Sequence, residues 1–220
     1  MTPAGAEQDI SSLLAEQVAF YRAVAPEYER HAIRGAWEGE PEAALEAFAP
    51  AGAVLELACG PATWTPKLLR HADTVTALDA SPEMLAIAMS RVHDERVTFV
   101  QADVFEWEAD RRYDVVFFGF WLSHVPLERF DEFWSRVEAW LEPGGRVFFV
   151  DDAHRTAAEL VWGEGSSMVQ RRLTDGTAHR IVKVPHRPEE LERRLRKLGW
   201  AIRVNASLRE PFYWGAGRRA

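Results

Sequence analysis

Five short apolar runs occupy the first 150 residues, at 53–57, 74–78, 97–100, 113–118 and 146–150, and helix-competent stretches separate them. That alternation restricts the chain to a mostly parallel sheet covered by helices. Helices are expected at about 62–71, from Ser81-Pro82-Glu83 onward, and from about Leu127. The second has Ser as N-cap, Pro at its first position and an acid in its first turn. The third places Leu127, Phe130, Trp134, Val137 and Leu141 at spacings of 3, 4, 3 and 4, one stripe facing a sheet, and Pro143-Gly144-Gly145 stops it. Phe133 and Trp140 fall off that stripe and mark a candidate contact between copies of the chain. Ahead of the first strand, 8–24 carries Leu14, Val18 and Tyr21 at helical spacing before Pro26, and a short helix is expected near 41–48.

After residue 150 the pattern changes. Residues 169–184 read as two strands around Asp175-Gly176, a hairpin signal. Residues 188–198 read as a helix ending at Gly199, and 200–206 and 211–215 as short strands close enough to pair antiparallel. The expected fold is α/β, one domain with one antiparallel sheet edge and a hairpin laid over it. Its parts are a helical amino-terminal lid (1–50), a ligand-binding core (51–152), the hairpin insertion (165–186) and a carboxyl-terminal helix with antiparallel strands (187–220).

Composition narrows the function. At 220 residues, 47% hydrophobic and 27% charged, the chain suits one soluble globular domain. No apolar run approaches a membrane span, and MTPAGAEQDI lacks a signal peptide's apolar region, so no membrane partner is expected and a cytoplasmic address is the default. The single cysteine, Cys59, excludes an intrachain disulfide and a multi-cysteine metal centre, and no metal is expected. The net charge of −8 is uneven: residues 171–220 carry +8 and the first 170 carry −16. An acidic body argues against a nucleic-acid partner. Arg193, Arg194, Arg196 and Lys197 read as a solvated helix face. Oligomeric state is left open.

The first strand runs into Glu56-Leu-Ala58-Cys-Gly60-Pro-Ala62-Thr63, and the second ends in Asp79. Open parallel sheets bind ligands at the carboxyl ends of their strands. Gly60 permits a tight turn and a close ligand approach, and a carboxylate at Asp79 suits both hydroxyls of a ribose. The loop is not G-x-G-x-x-G, so it cradles a pyrophosphate poorly. Glu56 would repel a phosphate and suits a cation. Asp103 follows the third strand, where an adenine amino group can be read. A cationic adenosine without phosphate is S-adenosylmethionine.

Taken in order, Val54-Leu-Glu-Leu-Ala-Cys-Gly60, Val75-Thr-Ala-Leu-Asp79 with Ser81-Pro-Glu-Met84, Gln101-Ala-Asp103, 113–118 and Leu141-Glu-Pro-Gly-Gly145 resemble the class I S-adenosylmethionine-dependent methyltransferases over about 20–215. Glycine is usual in that family where this chain has Ala58, and Ala62 is a second departure. The resemblance implies a Rossmann-like, seven-stranded sheet. It also implies a cofactor site: Gly60 along the methionine portion, Asp79 on the ribose, Met84 on the adenine, Asp103 with the backbone of Val104 at the adenine edge, and Glu56, Ala58, Trp64, Ala80 and Gly119 around it. S-adenosylhomocysteine would be the product. Tyr21 and Tyr28 match the tyrosine-bearing helix that closes over the cofactor in small-molecule methyltransferases, with Arg22 a candidate for the cofactor carboxylate. The plainer readings are Met84 as core, Asp103 as a turn cap, and the tyrosines as helix packing.

The segment Gly119-Phe-Trp121-Leu-Ser-His124-Val-Pro126 lies on the same sheet edge. His124 is a candidate general base or acceptor-orienting group, or a loop histidine bonded to a carbonyl, and Trp121 a candidate pocket wall. Arg171, Arg172, His179, Arg180 and Lys183 fall within thirteen positions on the hairpin. A two-residue turn would pair Arg172 with His179 and put Arg171 and Lys183 on opposite faces. Two cations over a pocket mouth suit an anionic acceptor; pairing with Asp151, Asp152 and Glu159 is the plainer reading. This segment and hairpin together resemble bacterial O-methyltransferases of small phosphonic or carboxylic acids, which implies that Arg171, Lys183, Tyr28 and His124 grip the acid, with His124 and Tyr28 as catalytic candidates. The alternatives are an N- or C-methyltransferase, a hydroxyl O-methyltransferase using His124 as base, and a noncatalytic cofactor-binding subunit.

Overall fold

The computed structural model describes residues 3–28, 39–208 and 211–220, with side chains from residue 9 onward. Residues 29–38 of the expected amino-terminal helical segment lie outside the described residues. The chain opens with α1 (Pro3–Val24) and α2 (Glu40–Phe48). It then alternates through β1 (Gly52–Leu57), α3 (Thr65–Leu68), β2 (Ala72–Asp79), α4 (Pro82–Arg91), β3 (Val97–Gln101), β4 (Tyr113–Gly119), α5 (Phe130–Trp140) and β5 (Leu141–Asp152). A separate hairpin, β6 (Met168–Arg172) and β7 (Ala178–Val182), precedes α6 (Pro188–Lys197), β8 (Trp200–Ala206) and β9 (Phe212–Arg219). The seven-stranded sheet has the order β3-β2-β1-β4-β5-β9-β8, parallel through β5, with β9 antiparallel to both of its neighbours. Strand order reverses between β1 and β4, which opens a crevice at their carboxyl ends.

Strand alternation sends side chains to two cores. Val54, Val115, Phe117 and Phe148 pack with Leu45, Leu68 and Leu85 on one face. Leu55, Val116, Phe118 and Phe149 pack with Trp134 and Val137 of α5 and Leu191 and Leu195 of α6 on the other. A third cluster joins Phe20 and Val24 of α1 to Val169 and Ile181 of the hairpin and Met84 of α4. Glu16 fixes that layer: its carboxylate accepts the Arg180 backbone N–H at 2.6 Å and Nε–H at 2.7 Å. Among the described residues no helix is long and apolar enough to cross a membrane.

Four local expectations change. Helix α3 is a single turn, because residues ahead of it take left-handed backbone conformations (Ala58 φ 49°, Gly60 φ 53°, Ala62 φ 61°). After Pro126, Leu127–Arg129 form a 3-10 turn with Leu127 exposed, so α5 starts only at Phe130. It ends at Trp140, and Pro143-Gly144-Gly145 instead lies within β5, where Gly144 (φ 83°) accompanies a register shift opposite Tyr113 and Val115. Phe133 and Trp140 are core residues of the α5 face rather than a surface contact.

The hairpin register also differs. Leu173–Thr177 form a five-residue loop closed by Leu173 N–H to Thr177 O and Gly176 N–H to Leu173 O, both at 2.9 Å. Arg171 therefore pairs with His179 and Arg172 with Ala178. Since side chains alternate along a strand, Arg171, His179, Ile181 and Lys183 share one face, which removes the conflict that a two-residue turn would create.

Close approach in β9 needs glycine. A Cβ on Gly217 would overlap the Ala201 carbonyl oxygen and the Ile202 Cα. Gly217→Ala is expected to lower stability by about 1–3 kcal/mol. Gly165→Ala, with nothing within 4 Å of its Cβ position, stays within about 0.5 kcal/mol. Urea unfolding midpoints check both.

Candidate active site

A cavity of about 510 Å³ opens where the carboxyl ends of β1, β2, β3 and β4 meet α1, the hairpin and the 154–159 loop. On the sheet side, Asp79 ends β2 and spreads its carboxylate between two backbone amides: Oδ2 accepts Gly60 N–H and Oδ1 accepts Ser81 N–H, both at 2.8 Å. Burial nevertheless pushes its pKa up to about 6, against those hydrogen bonds. Ser81 caps α4 by accepting Met84 N–H at 3.1 Å, and Met84 lines the cavity. Ala58, Gly60, Ala80, Asp103, Val104 and Gly119 line it too. A Cβ on Gly60 would project into open space, so the backbone there is exposed to a ligand. Asp103 also caps a turn, accepting Phe105 N–H at 2.7 Å.

The opposite end carries the groups expected for an acceptor. His124 sits in the Leu122–His124 3-10 turn and is buried. Its Nδ1 lies 2.6 Å from Val182 O and its Nε2 3.0 Å from the Tyr21 hydroxyl. A carbonyl only accepts, so Nδ1 carries the proton and Nε2 accepts from Tyr21. The Tyr21 oxygen accepts in turn from Arg171 Nη1 at 3.3 Å. Burial first, then the charges of Lys183 and Arg171, hold the His124 pKa well below the usual histidine value. The ring is thus neutral with both nitrogens engaged. Lys183 Nζ donates to Ser123 Oγ at 3.0 Å and to Asp152 Oδ2 at 2.9 Å. Tyr28, Trp121, Arg171 and Lys183 all line the cavity, and burial raises the Tyr28 phenol above its ordinary range.

Several expected site residues lie elsewhere. Arg22 is exposed and pairs bidentately with Glu83, with contacts of 2.9 and 3.1 Å; it follows Tyr21 on the outward face of α1 and does not line the cavity. Arg172, by contrast, does line the cavity, at its exposed rim, where its guanidinium is taken by Gly176 O (3.1 Å) and Gln170 Oε1 (2.9 Å). Trp64 is buried behind Gly119 and reaches only a small adjoining crevice, shared with Glu56, Cys59 and Tyr28. Glu56 is not a free carboxylate: it accepts the Thr65 hydroxyl at 2.6 Å, and burial, with Asp79 adding to it, raises its pKa to about 8. It is therefore protonated at neutral pH.

Sequence reasoning missed Gln17, His154, Thr156 and Gln170 as cavity residues, and weighed Asp152 and Glu159 only as charge partners. Gln17 Oε1 accepts Val182 N–H at 3.0 Å and its Nε2 donates to His124 O at 3.3 Å, tying α1 to both acceptor-end segments. The acids had one readable signal, two cations within reach on the hairpin; Gln17 had none.

The methyltransferase-domain family matches residues 54–145. A ubiquinone biosynthesis O-methyltransferase of Xanthomonas axonopodis pv. citri (strain 306) is 31% identical over 173 residues, 74% of this chain and 69% of that protein. The solved DhpI-SAM-HEP complex is 41% identical, with a TM-score of 0.83 over 94% of this chain and 97% of that one. This chain belongs to the class I S-adenosylmethionine-dependent methyltransferases. The ubiquinone biosynthesis O-methyltransferase of Cronobacter sakazakii (strain ATCC BAA-894) is 34% identical over 67% of this chain, and the match spans 58% of that protein's length.

The residues present fit the methyl donor of this methyltransferase family. The sheet end of the cavity offers Asp79, Asp103 and open backbone at Gly60, and no lysine or arginine from β1 to β3. That donor set accepts hydroxyl and amino protons and disfavours a phosphate. Because folding raises the Asp79 pKa from 3.8 to about 6, the folded state holds that proton more tightly than the unfolded chain. Stability from this group is full below 3.8 and is lost as pH climbs to about 6. Asp79→Asn is expected to abolish that loss, while giving up one of the two backbone N–H contacts, since an amide nitrogen does not accept. Its affinity for S-adenosylhomocysteine should fall about tenfold or more, while Arg22→Ala binds unchanged. Calorimetric titration and melting curves between pH 4 and 8 check these outcomes.

Proposed function

We propose that this methyltransferase transfers a methyl group to an oxygen of a small anionic metabolite, a carboxylate or a phosphonate. One observation carries the reading: Arg171 and Lys183 project from one face of the hairpin into the end of the cavity opposite Asp79. Arg171 uses Nε and Nη1 on Glu159 and Tyr21, and its Nη2 has no hydrogen-bond partner among the described residues. A guanidinium with a free N–H suits an oxyanion. The solved DhpI-SAM-HEP complex aligns with nearly this whole chain, which supports a small-molecule acceptor.

S-adenosylmethionine supplies, when bound, a methyl group on a sulfonium that an oxygen nucleophile can attack in line. Asp79 would hold its ribose, Asp103 and Val104 its adenine edge, and Met84 the adenine face. The remaining work is placement. Arg171, Lys183 and Tyr28 orient the acid oxygen, while α1 and the hairpin roof the site and exclude water. An ionised acid needs no base. The neutral His124, already engaged by Val182 and Tyr21, fits a role in fixing Tyr21 rather than in taking a proton.

A hydroxyl acceptor is the rival reading, favoured by the Tyr21–His124 hydrogen bond as a proton path. Transfer of labelled methyl to a panel of carboxylates, phosphonates and phenols separates the two. Arg171→Ala is expected to raise KM for an acid acceptor ten- to a hundredfold, on the order of a lost charged hydrogen bond, with S-adenosylhomocysteine affinity unchanged. His124→Ala costs less than about tenfold on an acid; on a hydroxyl acceptor it would cost on the order of 10²–10⁴. A phenol turned over with higher kcat/KM than every acid overturns the proposal.

A further inference from the structure

The cations at the acceptor end are already matched by acids. Arg171 Nε donates to Glu159 Oε1 at 3.0 Å, and Lys183 Nζ donates to Asp152 Oδ2 at 2.9 Å. Glu159 is anchored from behind, its Oε2 accepting the Thr156 backbone N–H and hydroxyl, each at 2.8 Å. Burial raises its pKa, but the Thr156 contacts and the Arg171 charge outweigh that and hold the carboxyl below its ordinary value. Glu159 is therefore ionised at neutral pH, and it lines the cavity.

The other buried groups facing this end add no surplus positive charge. Asp151 is fully buried, its oxygens taken by Ser123 N–H (2.7 Å), the Ser123 hydroxyl (2.8 Å) and Asp152 N–H (2.7 Å). Burial, ahead of the opposing pull of Lys183, raises its pKa. His124 is neutral, and burial holds the phenols of Tyr21 and Tyr28 protonated. Arg172 is exposed and bonded to Gln170 and Gly176. His154 lines the cavity on the 154–159 loop. Two cation–carboxylate pairs, with Asp151 also 3.6 Å from Lys183, thus leave the buried acceptor end without surplus positive charge; Arg172 is a solvated cation at the rim, and the positive charge at the reaction is that of the sulfonium.

We propose that Glu159, held by Thr156 against Arg171, is a specificity-determining residue that limits the acceptor to a single negative charge. The inference rests on the acid-acceptor reading above. A lone pair of the acid oxygen forms the O–C bond as the C–S bond breaks and its electron pair stays on sulfur. The charges +1 and −1 cancel, and no proton has to leave the acceptor for the bond to form. A doubly charged acid brings a second negative charge against Glu159 and Asp152. Like charges about 6 Å apart in a partly buried site weaken binding by about tenfold or more.

The test uses binding rather than turnover. Ethylphosphonate, propionate and phenol are titrated calorimetrically into the protein saturated with S-adenosylhomocysteine, at about pH 6 and about pH 9.5, on either side of a phosphonate's second ionisation. A phosphonate passes from one negative charge to two between them, whereas propionate carries one at both values. Propionate therefore reports any effect of pH on the protein itself. For the wild type, the Kd of ethylphosphonate is expected to rise about tenfold or more with pH, and that of propionate to change less than about threefold. Glu159→Gln keeps the shape and removes the charge, and should cut the phosphonate's pH dependence at least about fivefold. Thr156→Val loosens the anchor but keeps the charge, and should retain the wild-type dependence; melting curves confirm that both variants fold. Wild-type protein that holds ethylphosphonate as tightly at high pH, or a Glu159→Gln variant with unchanged pH dependence, overturns the inference. Binding of phenol with neither acid bound removes the acid reading itself, and this inference with it.

Discussion

The Asp79 carboxylate, at the end of β2, grips the amides of Gly60 and Ser81. One group thereby holds the loop after β1 and the start of α4 at a fixed separation, with the crevice proposed for the nucleoside between them. The loop resists that arrangement. Ala58 and Ala62 both take left-handed backbone angles, at φ 49° and 61°, each costing roughly 1–2 kcal/mol relative to a right-handed conformation. Burial also disfavours the Asp79 charge itself. The site is thus kept by a few directed hydrogen bonds against local strain, as binding sites often are.

The far end of the cavity solves a different problem. Its cations come from a hairpin that is no part of the main sheet, and each would be costly to bury alone. Glu159 and Asp152 answer one apiece, while Gln17 and Glu16 of α1 fasten the hairpin from above. His124 belongs to this bracing: its two ring nitrogens join β7 to Tyr21. The acceptor region is therefore a set of side-chain ties between segments distant in sequence, laid over a rigid sheet edge.

That contrast explains what the sequence disclosed. Strands, their alternation with helices, Asp79, Gly60, Met84 and Asp103 follow from short-range patterns, because the cofactor end is built from turns directly after strands. The face shared by Arg171 and Lys183 depended on a loop of five residues rather than two, and Asp175-Gly176 fits either. Arg22 shows the same limit: one position beyond Tyr21 on a helix turns a side chain away from the cavity, and only the location of Glu83 shows where it goes. Gln17 looks like any polar helix residue until Val182 and His124 are placed beside it. Glu56 stands in the strand position its motif predicts, yet burial, against the Thr65 hydrogen bond, makes it an acid rather than an anion.

The place of β9 in the sheet bears on assembly. This strand follows all the others in the chain, yet it lies between β5 and β8 and is the sheet's link to β8. Strands β1 to β5 can pair as they leave the ribosome, but the β5 edge stays open until β9 has been made. Such an edge is a template for mispairing with another chain. Pairing of β9 with β5 and β8 is the step that removes that edge.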